Sequence, residues 1–416
     1  MKKLQNSILL LFIVAVAASS CGRKESGQLL GVADRPTWNG LNPYGMVYVP
    51  SGVVHVGSGD EDVSRNLVAR PKAISVQGFY MDETEITNNE YRQFVQWVSD
   101  SLALETMGLY LEDDGSTSDK QLLDWDQEVD WEESAEELED LYYQGNERFS
   151  GRKELDVSKL VFEYQWMDWQ RAAHDRNSNR TSHLRKEKIK IYPDTLCWIR
   201  DYAYSYNEPM TRNYFWHPAF DEYPVVGVNW KMAKAFCYWR SKIWDMYNDQ
   251  GINTEDFRLP TETEWEYAAR GGHDNAPYPW GAYYTRNAKG CLLANFKPGR
   301  GNYPEDGGLY TVKADGYYPN DYGLYNMAGN AAEWTESAYF ENAYNFMHDL
   351  NPDIRYDAKE EDQKTAKRKV VRGGSWKDVA HYLQTSTRSF EYQDTTKCYI
   401  GFRCVLTFLG RSINDF

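Results

Sequence analysis

Residues 371–404 read VRGGSWKDVAHYLQTSTRSFEYQDTTKCYIGFRC. Two short blocks bracket this stretch, Arg372-Gly373-Gly374-Ser375-Trp376 and Gly401-Phe402-Arg403-Cys404. Adjacent glycines beside a tryptophan call for backbone held close to a large side chain, or for a turn at φ > 0. Glycine alone adopts such backbone cheaply. Between the blocks lie His381, Ser386, Arg388 and Cys398. The stretch is therefore either a reactive pocket or a pocket-shaped piece of architecture.

Working outward, the chain has 416 residues, enough for one large domain or two ordinary ones with ample core. Aromatic residues make up 15%, with 15 Trp and 32 Tyr. Such side chains combine large apolar area with one polar handle, which suits a loop-rich fold and wide contact surfaces. The net charge of −16 argues against nucleic acid as a main partner, because phosphate binding needs a basic face. It leaves room for cation sites or a basic partner.

The N-terminus reads as an address. Lys2 and Lys3 precede an apolar run from Ile8 to Ala18, too short to span a bilayer. Ala18-Ser19-Ser20-Cys21 then resembles a bacterial lipobox. Residues 1–20 are expected to be a lipoprotein signal peptide and Cys21 the lipidated first residue of the mature chain. More than one acyl chain gives stable anchoring. Residues 21–43 form a polar tether. The other five cysteines make no C-x-x-C pair, which speaks against zinc and thioredoxin-like chemistry. The seven histidines show no H-x-x-x-H spacing.

Ordered structure is expected from Tyr44. Residues 44–52 and 53–57 read as two strands joined by Pro50-Ser51-Gly52, a hairpin signal, and Ala73 to Met81 as a further strand. Thr87 and Glu90 form a capping box before Tyr91, Phe94, Val95 and Val98 at helical spacing. Asn229 caps a second helix, and Thr261 with Glu264 a third, closed by Gly271. Between Asp100 and Met210 lie an acidic stretch at 124–140, a basic one at 171–190 and an aromatic run from Tyr192 to Trp216. The charged blocks read as solvated helix faces that meet each other or different neighbours. The aromatic run is too apolar for disorder and is expected on the main domain or on a partner.

Four motifs in order, YPVVGVNW (223–230), RLPTETEWEYAARGG (258–272), GLYNMAGNAAEW (323–334) and RGGSW…GFRC, resemble the formylglycine-generating enzyme (sulfatase-modifying factor) family. The resemblance implies an α+β fold rich in irregular structure and related to C-type lectins. This domain would cover 44–410, with an insertion at about 100–220. It also implies structural Ca²⁺, held by Asn326 and Glu333 through side chains and by Gly329 and Ala331 through backbone. A second set would be Asn295, Phe296 (backbone), Asp306 and Gly308 (backbone). The oxygen-rich segments suit a cation that takes six to eight such ligands. A disulfide between Cys237 and Cys404 follows from the same resemblance, while the pairing of Cys197, Cys291 and Cys398 stays open.

The family's oxidases bind copper through two cysteines downstream of the RGGS block, and soft Cu(I) needs thiolates. Here the corresponding positions fall at Ala380, Leu383, Thr385 or Arg388, and no thiol lies between Trp376 and Glu391. Copper is therefore not expected, and the chain reads as a pseudoenzyme. The lipobox, NPYGMVYVPSG (42–52), FYMDETEITNNEYRQFV (79–95), YPDT (192–195) and the 204–220 run together resemble lipoproteins of the GldK/PorK type. That resemblance implies a structural role in type IX secretion and gliding motility. The protein would be anchored in the outer membrane, facing the periplasm, and would self-associate into a ring with a GldN/PorN-type partner. The alternatives are a formylglycine-type oxidase with a relocated site and a Ca²⁺-dependent, lectin-like binding module.

Overall fold

The computed structural model describes residues 42–57, 70–111, 122–175, 177–247 and 255–409. Cys21, the signal peptide and nearly all of the tether lie outside the described residues, as does the Asp306 side chain. In chain order the strands are β1 (Met46–Val49), β2 (Gly52–Val56), β3 (Lys72–Val76), β4 (Phe79–Asp82), β5 (Val161–Met167), β6 (Leu184–Lys190), β7 (Ala332–Ala338), β8 (Arg368–Arg372), β9 (Ser389–Tyr392), β10 (Ile400–Gly401) and β11 (Val405–Thr407). The helices are α1 (Asn88–Met107), α2 (Trp169–His174), α3 (Cys197–Asp201), α4 (Glu208–Asn213), α5 (Trp230–Tyr247), α6 (Glu262–Arg270) and α7 (Ala343–Phe346). Among the described residues no helix is long and apolar enough to cross a membrane.

Two small sheets organise the core. One is antiparallel in the order β1-β4-β11, the other runs β10-β7-β8-β9. β10 pairs with β7 in parallel, through Ile400 with Ala332 and Gly401 with Glu333. Four residues later Val405 pairs with Met81 of β4. The Gly401–Cys404 block is thus the crossing from one sheet to the other, which places Arg403 and Cys404 at the centre of the molecule.

The helix starts follow the sequence closely. Thr87 and Glu90 form the expected capping box on α1, and Thr261 and Glu264 form one on α6. The Asn229 side chain accepts from the Met232 N–H at 2.9 Å, so it caps α5. Gly271 closes α6 at φ 56°. These caps occupy N–H groups that a helix end leaves without a partner. α1 and α5 then bury one face each. Tyr91 stacks on Phe236 at 5.6 Å, and Phe402, fully buried, meets both rings edge-on. Burying such a ring contributes roughly 1.5–3 kcal/mol.

Three expectations need correction. β1 and β2 do not form a hairpin: β1 pairs with β4 and β2 with β3, in separate sheets. Pro50 and Ser51 redirect the chain instead of reversing it. The strand expected over Ala73–Met81 is two, broken at Gln77-Gly78. A Cβ on Gly78 would lie 3.0 Å from the Tyr48 hydroxyl, so the break is where backbone passes under a side chain. The charged blocks are not continuous helix faces. Residues 133–141 fold into short 3₁₀ turns, and the basic block forms α2, a turn and β6, which pairs with β5 over seven residues. The hairpin packs on the core through Phe162 against Phe94 (5.2 Å) and Tyr164 against Tyr238 (4.4 Å).

Candidate functional site

Both readings of the glycine pair hold. Gly373 and Gly374 adopt φ of 88° and 67°. A Cβ on Gly373 would come within 3.1 Å of the Trp265 ring, and one on Gly374 within 2.7 Å of the Tyr382 carbonyl. The large side chain is Trp265 of α6, not the adjacent Trp376. Beyond the turn, the Ser375 N–H and hydroxyl both donate to Asp378 Oδ2, at 3.0 and 2.6 Å.

The middle of the stretch is filled with packing and structural hydrogen bonds. Leu383 is fully buried against Tyr278, Phe296 and Ala328. Thr385 Oγ1 donates to the Ala276 carbonyl at 2.9 Å. Ala380 opens a 3₁₀ turn, Ala380–Leu383. Arg388 grips the Glu262 carboxylate, with Nε to Oε1 at 2.5 Å and Nη2 to Oε2 at 2.9 Å. Ser386 contributes its carbonyl, which accepts from Arg372 Nη1 at 3.2 Å. The His381 ring lies edge-on against Tyr382. His381, Ser386 and Arg388 therefore do not converge as a reactive constellation.

Trp376 is enclosed by Trp198 and Tyr202, from α3 and the residue after it, together with Tyr303 and Tyr310, at 5.3–6.3 Å between ring centroids. Trp198 and Tyr202 of the aromatic run thus lie on the main domain, over the RGGSW block, while Tyr204 and Tyr206 remain exposed. Cys197 and Cys398 are buried in the same cluster. Burial, first, pushes both thiols up, and nearby Asp201 adds to it.

Charge is buried in pairs on either side of the turn. Arg372, fully buried, donates to Glu266 and, at 2.7 Å, to the Thr385 carbonyl. Arg403 Nε and Nη2 reach Glu333 Oε2 and Oε1 at 2.8 and 2.6 Å. Its remaining N–H groups go to the carbonyls of Asp82, Glu83 and Tyr325. Trp265 Nε1 also donates to Glu333 Oε2, at 2.7 Å.

This bears on the first calcium set. Each Glu333 oxygen accepts a hydrogen bond from Arg403, and Oε2 a second from Trp265 Nε1, so any cation there would share this carboxylate with Arg403. The Asn326 amide nitrogen donates to Glu85 Oε2 at 3.0 Å and to the Ala314 carbonyl at 2.8 Å. The Ala331 N–H donates to Glu85 Oε1 at 3.0 Å, and a Cβ on Gly329 would collide with the Asn295 carbonyl at 2.4 Å. The carboxylate these residues face is Glu85, which the sequence reading did not single out. Burial, first, and the Glu333 carboxylate push it up to about 8. The second set fits better. The Asn295 amide nitrogen donates to the Tyr310 carbonyl at 2.7 Å and to Asn330 Oδ1 at 3.3 Å. Its Oδ1 is turned to Gly308, where a Cβ would lie 2.8 Å away. Phe296 is buried beside it.

The expected Cys237–Cys404 disulfide is not formed in this structure. The two are buried thiols with sulfurs 3.4 Å apart, against about 2.05 Å for a bond. The approach itself is as expected, with Cys237 on α5 facing the crossing strand. Cys291 is exposed. A cleft of about 1040 Å³ lies elsewhere, between the β5–β6 hairpin and residues 351–360. Among the ionic groups that line it, Lys234 pairs with Glu336 (3.3 Å) and Arg258 with Glu264 (2.6 Å).

The motif order, the two sheets and the turn at 373–374 now meet a family match. The model of the sulfatase-modifying factor enzyme 1-like domain covers residues 35–408. The chain belongs to this family. The formylglycine-generating enzyme of Bos taurus is 26% identical over 368 residues, 87% of this chain and 74% of that protein. The inactive C-alpha-formylglycine-generating enzyme 2 of Bos taurus is 35% identical over 190 residues, 44% of this chain and 50% of that one. Among solved structures, PvdO from Pseudomonas aeruginosa aligns over 87% of this chain and 94% of its own at 16% identity, with a TM-score of 0.46. The α+β, irregular architecture is that of the sulfatase-modifying factor domain, as expected.

The buried pair at the sheet crossing generates a stability prediction. Arg403→Met leaves Glu333 charged, buried and without its cation, and should cost about 3–5 kcal/mol in denaturant unfolding. Adding Glu333→Gln should recover part of that loss. A cost below about 1 kcal/mol would remove the pair from its central place.

Proposed function

We propose that this chain is a catalytically empty, structural member of the sulfatase-modifying factor family. It is a lipid-anchored protein of the GldK/PorK type, serving type IX secretion and gliding motility. In this reading Cys21 carries the lipid in the outer membrane, the domain faces the periplasm, and copies assemble with a GldN/PorN-type protein into a ring. One observation carries the reading. The segment that would supply two copper-binding thiols supplies a buried leucine, a threonine bound to a backbone carbonyl and an arginine locked on Glu262. The insertion's aromatic residues covering Trp376 support it, as does the existence of a relative named inactive.

A formylglycine-type oxidase is the second reading, because other relatives bear that enzyme's name and Cys197 and Cys398 lie near Trp376. Burial, first, pushes both thiols up and so disfavours the thiolate that a copper ligand must become. The scaffold reading therefore stands ahead of it.

In the scaffold reading a calcium ion is a structural brace. The fitting ligands are the Asn295 side chain with the backbone of Phe296 and Gly308, while the Asp306 carboxylate comes in by resemblance. Calcium should then stabilise the fold by mass action, by about 2.7 kcal/mol at a hundredfold excess over Kd, and so raise the melting temperature. A chelator should lower it, and Asn295→Ala should abolish the difference. A melting curve that ignores chelator would eliminate the ion. For the assembly, affinity capture of the full-length lipoprotein from detergent-solubilised envelopes should bring down the GldN/PorN-type protein in closed rings visible by electron microscopy. Recovery of a lone monomer that does not bind that protein at micromolar concentration would defeat the proposal.

A further inference from the structure

The insertion carries two surfaces of opposite charge that do not meet within one molecule. Residues 122–140 hold ten Asp and Glu and no Lys or Arg. Trp97 stacks on Trp125 at 4.9 Å, and Trp131 Nε1 donates to Asp100 at 3.0 Å, which fastens this lobe to α1. Glu132, Glu133, Glu136 and Glu137 are exposed. Among the described residues, Glu139 with Arg148 at 3.5 Å is the one ion pair of the lobe.

The closed end of the β5–β6 hairpin is the reverse. Arg171, Arg180 and Lys186 are exposed there, and among the described residues none has an ion-pair partner. Arg185 reaches only Asp168, at 3.8 Å. Beneath them His183 is 4% exposed with no hydrogen-bond partner at Nδ1.

Geometry keeps the two surfaces apart. The acidic lobe leads into the open end of the hairpin, where Val161 pairs with Lys190. The basic tip sits beyond the closed end, where Met167 pairs with Leu184. Seven residues at about 3.3 Å each separate these ends by about 20 Å, well beyond a screening length of about 8 Å. Each surface also carries apolar anchors. Trp169 (71% exposed) and Leu184 (39%) flank the basic tip, and Leu122 (52%) and Trp125 (38%) flank the acidic lobe. Aromatic anchors rimmed by charge are the anatomy of a protein interface.

Resting on the ring reading above, we infer that neighbouring copies of this chain meet head to tail, the acidic lobe of one on the basic hairpin tip of the next. Two different patches in contact make a heterologous interface, the kind that closes into rings. The charges set register and partner choice, and the Trp and Leu pairs are desolvated.

The test uses full-length lipoprotein in detergent, with self-association read by light scattering and electron microscopy. The lobe variant is Glu133→Lys, Glu136→Lys and Glu137→Lys. The tip variant is Arg171→Glu, Arg180→Glu and Lys186→Glu. All six positions are exposed, so melting curves should match wild type. Each variant alone should associate at least tenfold more weakly. Mixing the two should restore assembly, because the three lysines placed in the lobe of one then face the three glutamates placed in the tip of the other. A single chain carrying all six changes should assemble by itself. Variants that form rings like wild type, or mixtures that restore nothing, would overturn the contact and leave the ring reading intact. Wild-type protein that forms no ring, with or without the GldN/PorN-type partner, would bring down both.

Discussion

Arg403 sits where the chain leaves one sheet and enters the other, and its guanidinium holds three distant segments to that crossing. Two of its bonds close on Glu333 at the start of β7, two on the carbonyls of Asp82 and Glu83 at the end of β4, and one on Tyr325. All five donors of the side chain are used. A buried pair of this kind adds little net stability compared with well-packed apolar groups. What it supplies is position, since its five bonds end on three segments that meet only at the crossing. Cys404 bonds through its N–H to Asp82, and the Asp82 N–H returns a bond to the Cys404 carbonyl, so the crossing is laced to β4 on both sides.

The same logic explains the 372–388 stretch. Arg372 and Arg388 are committed to Glu266 and Glu262 of α6, and the glycine turn lets Trp265 of that helix pass beneath the backbone. An enzyme pocket needs groups left free to meet substrate. Here each charged group is spent on a neighbour, and the aromatic side chains of the insertion close over Trp376. The stretch works as a clasp between α6, the sheet crossing and the insertion.

Much of this was legible in the sequence where the signal is local. Capping boxes and the 373–374 turn depend on a few adjacent residues, so Thr87, Glu90, Thr261, Glu264, Gly373 and Gly374 could be read directly. Strand pairing was not legible. Alternation marks Val47–Val56 as extended but carries no information on whether β1 meets β2 or the distant β4. Glu85 was missed because nothing around it marks a buried carboxylate, and its partners Asn326, Asn330 and Ala331 lie about 240 residues away. The pairing of Glu333 with Arg403 was likewise invisible, because the two come together only through the fold. The charged blocks were misread as helix faces because the 3.6-residue period was never present in them.

We propose a family fold kept for its shape and emptied of its reaction, with an insertion that supplies contact surface. The central claim is tested most directly by mass spectrometry of cysteine-containing peptides incubated with the reduced protein, Cu(I) and oxygen. A formylglycine-generating enzyme serves as the control. The account predicts unmodified peptides in every sample of this protein and aldehyde only in the control. Aldehyde formed by this chain, and lost on Cys398→Ser, would contradict it.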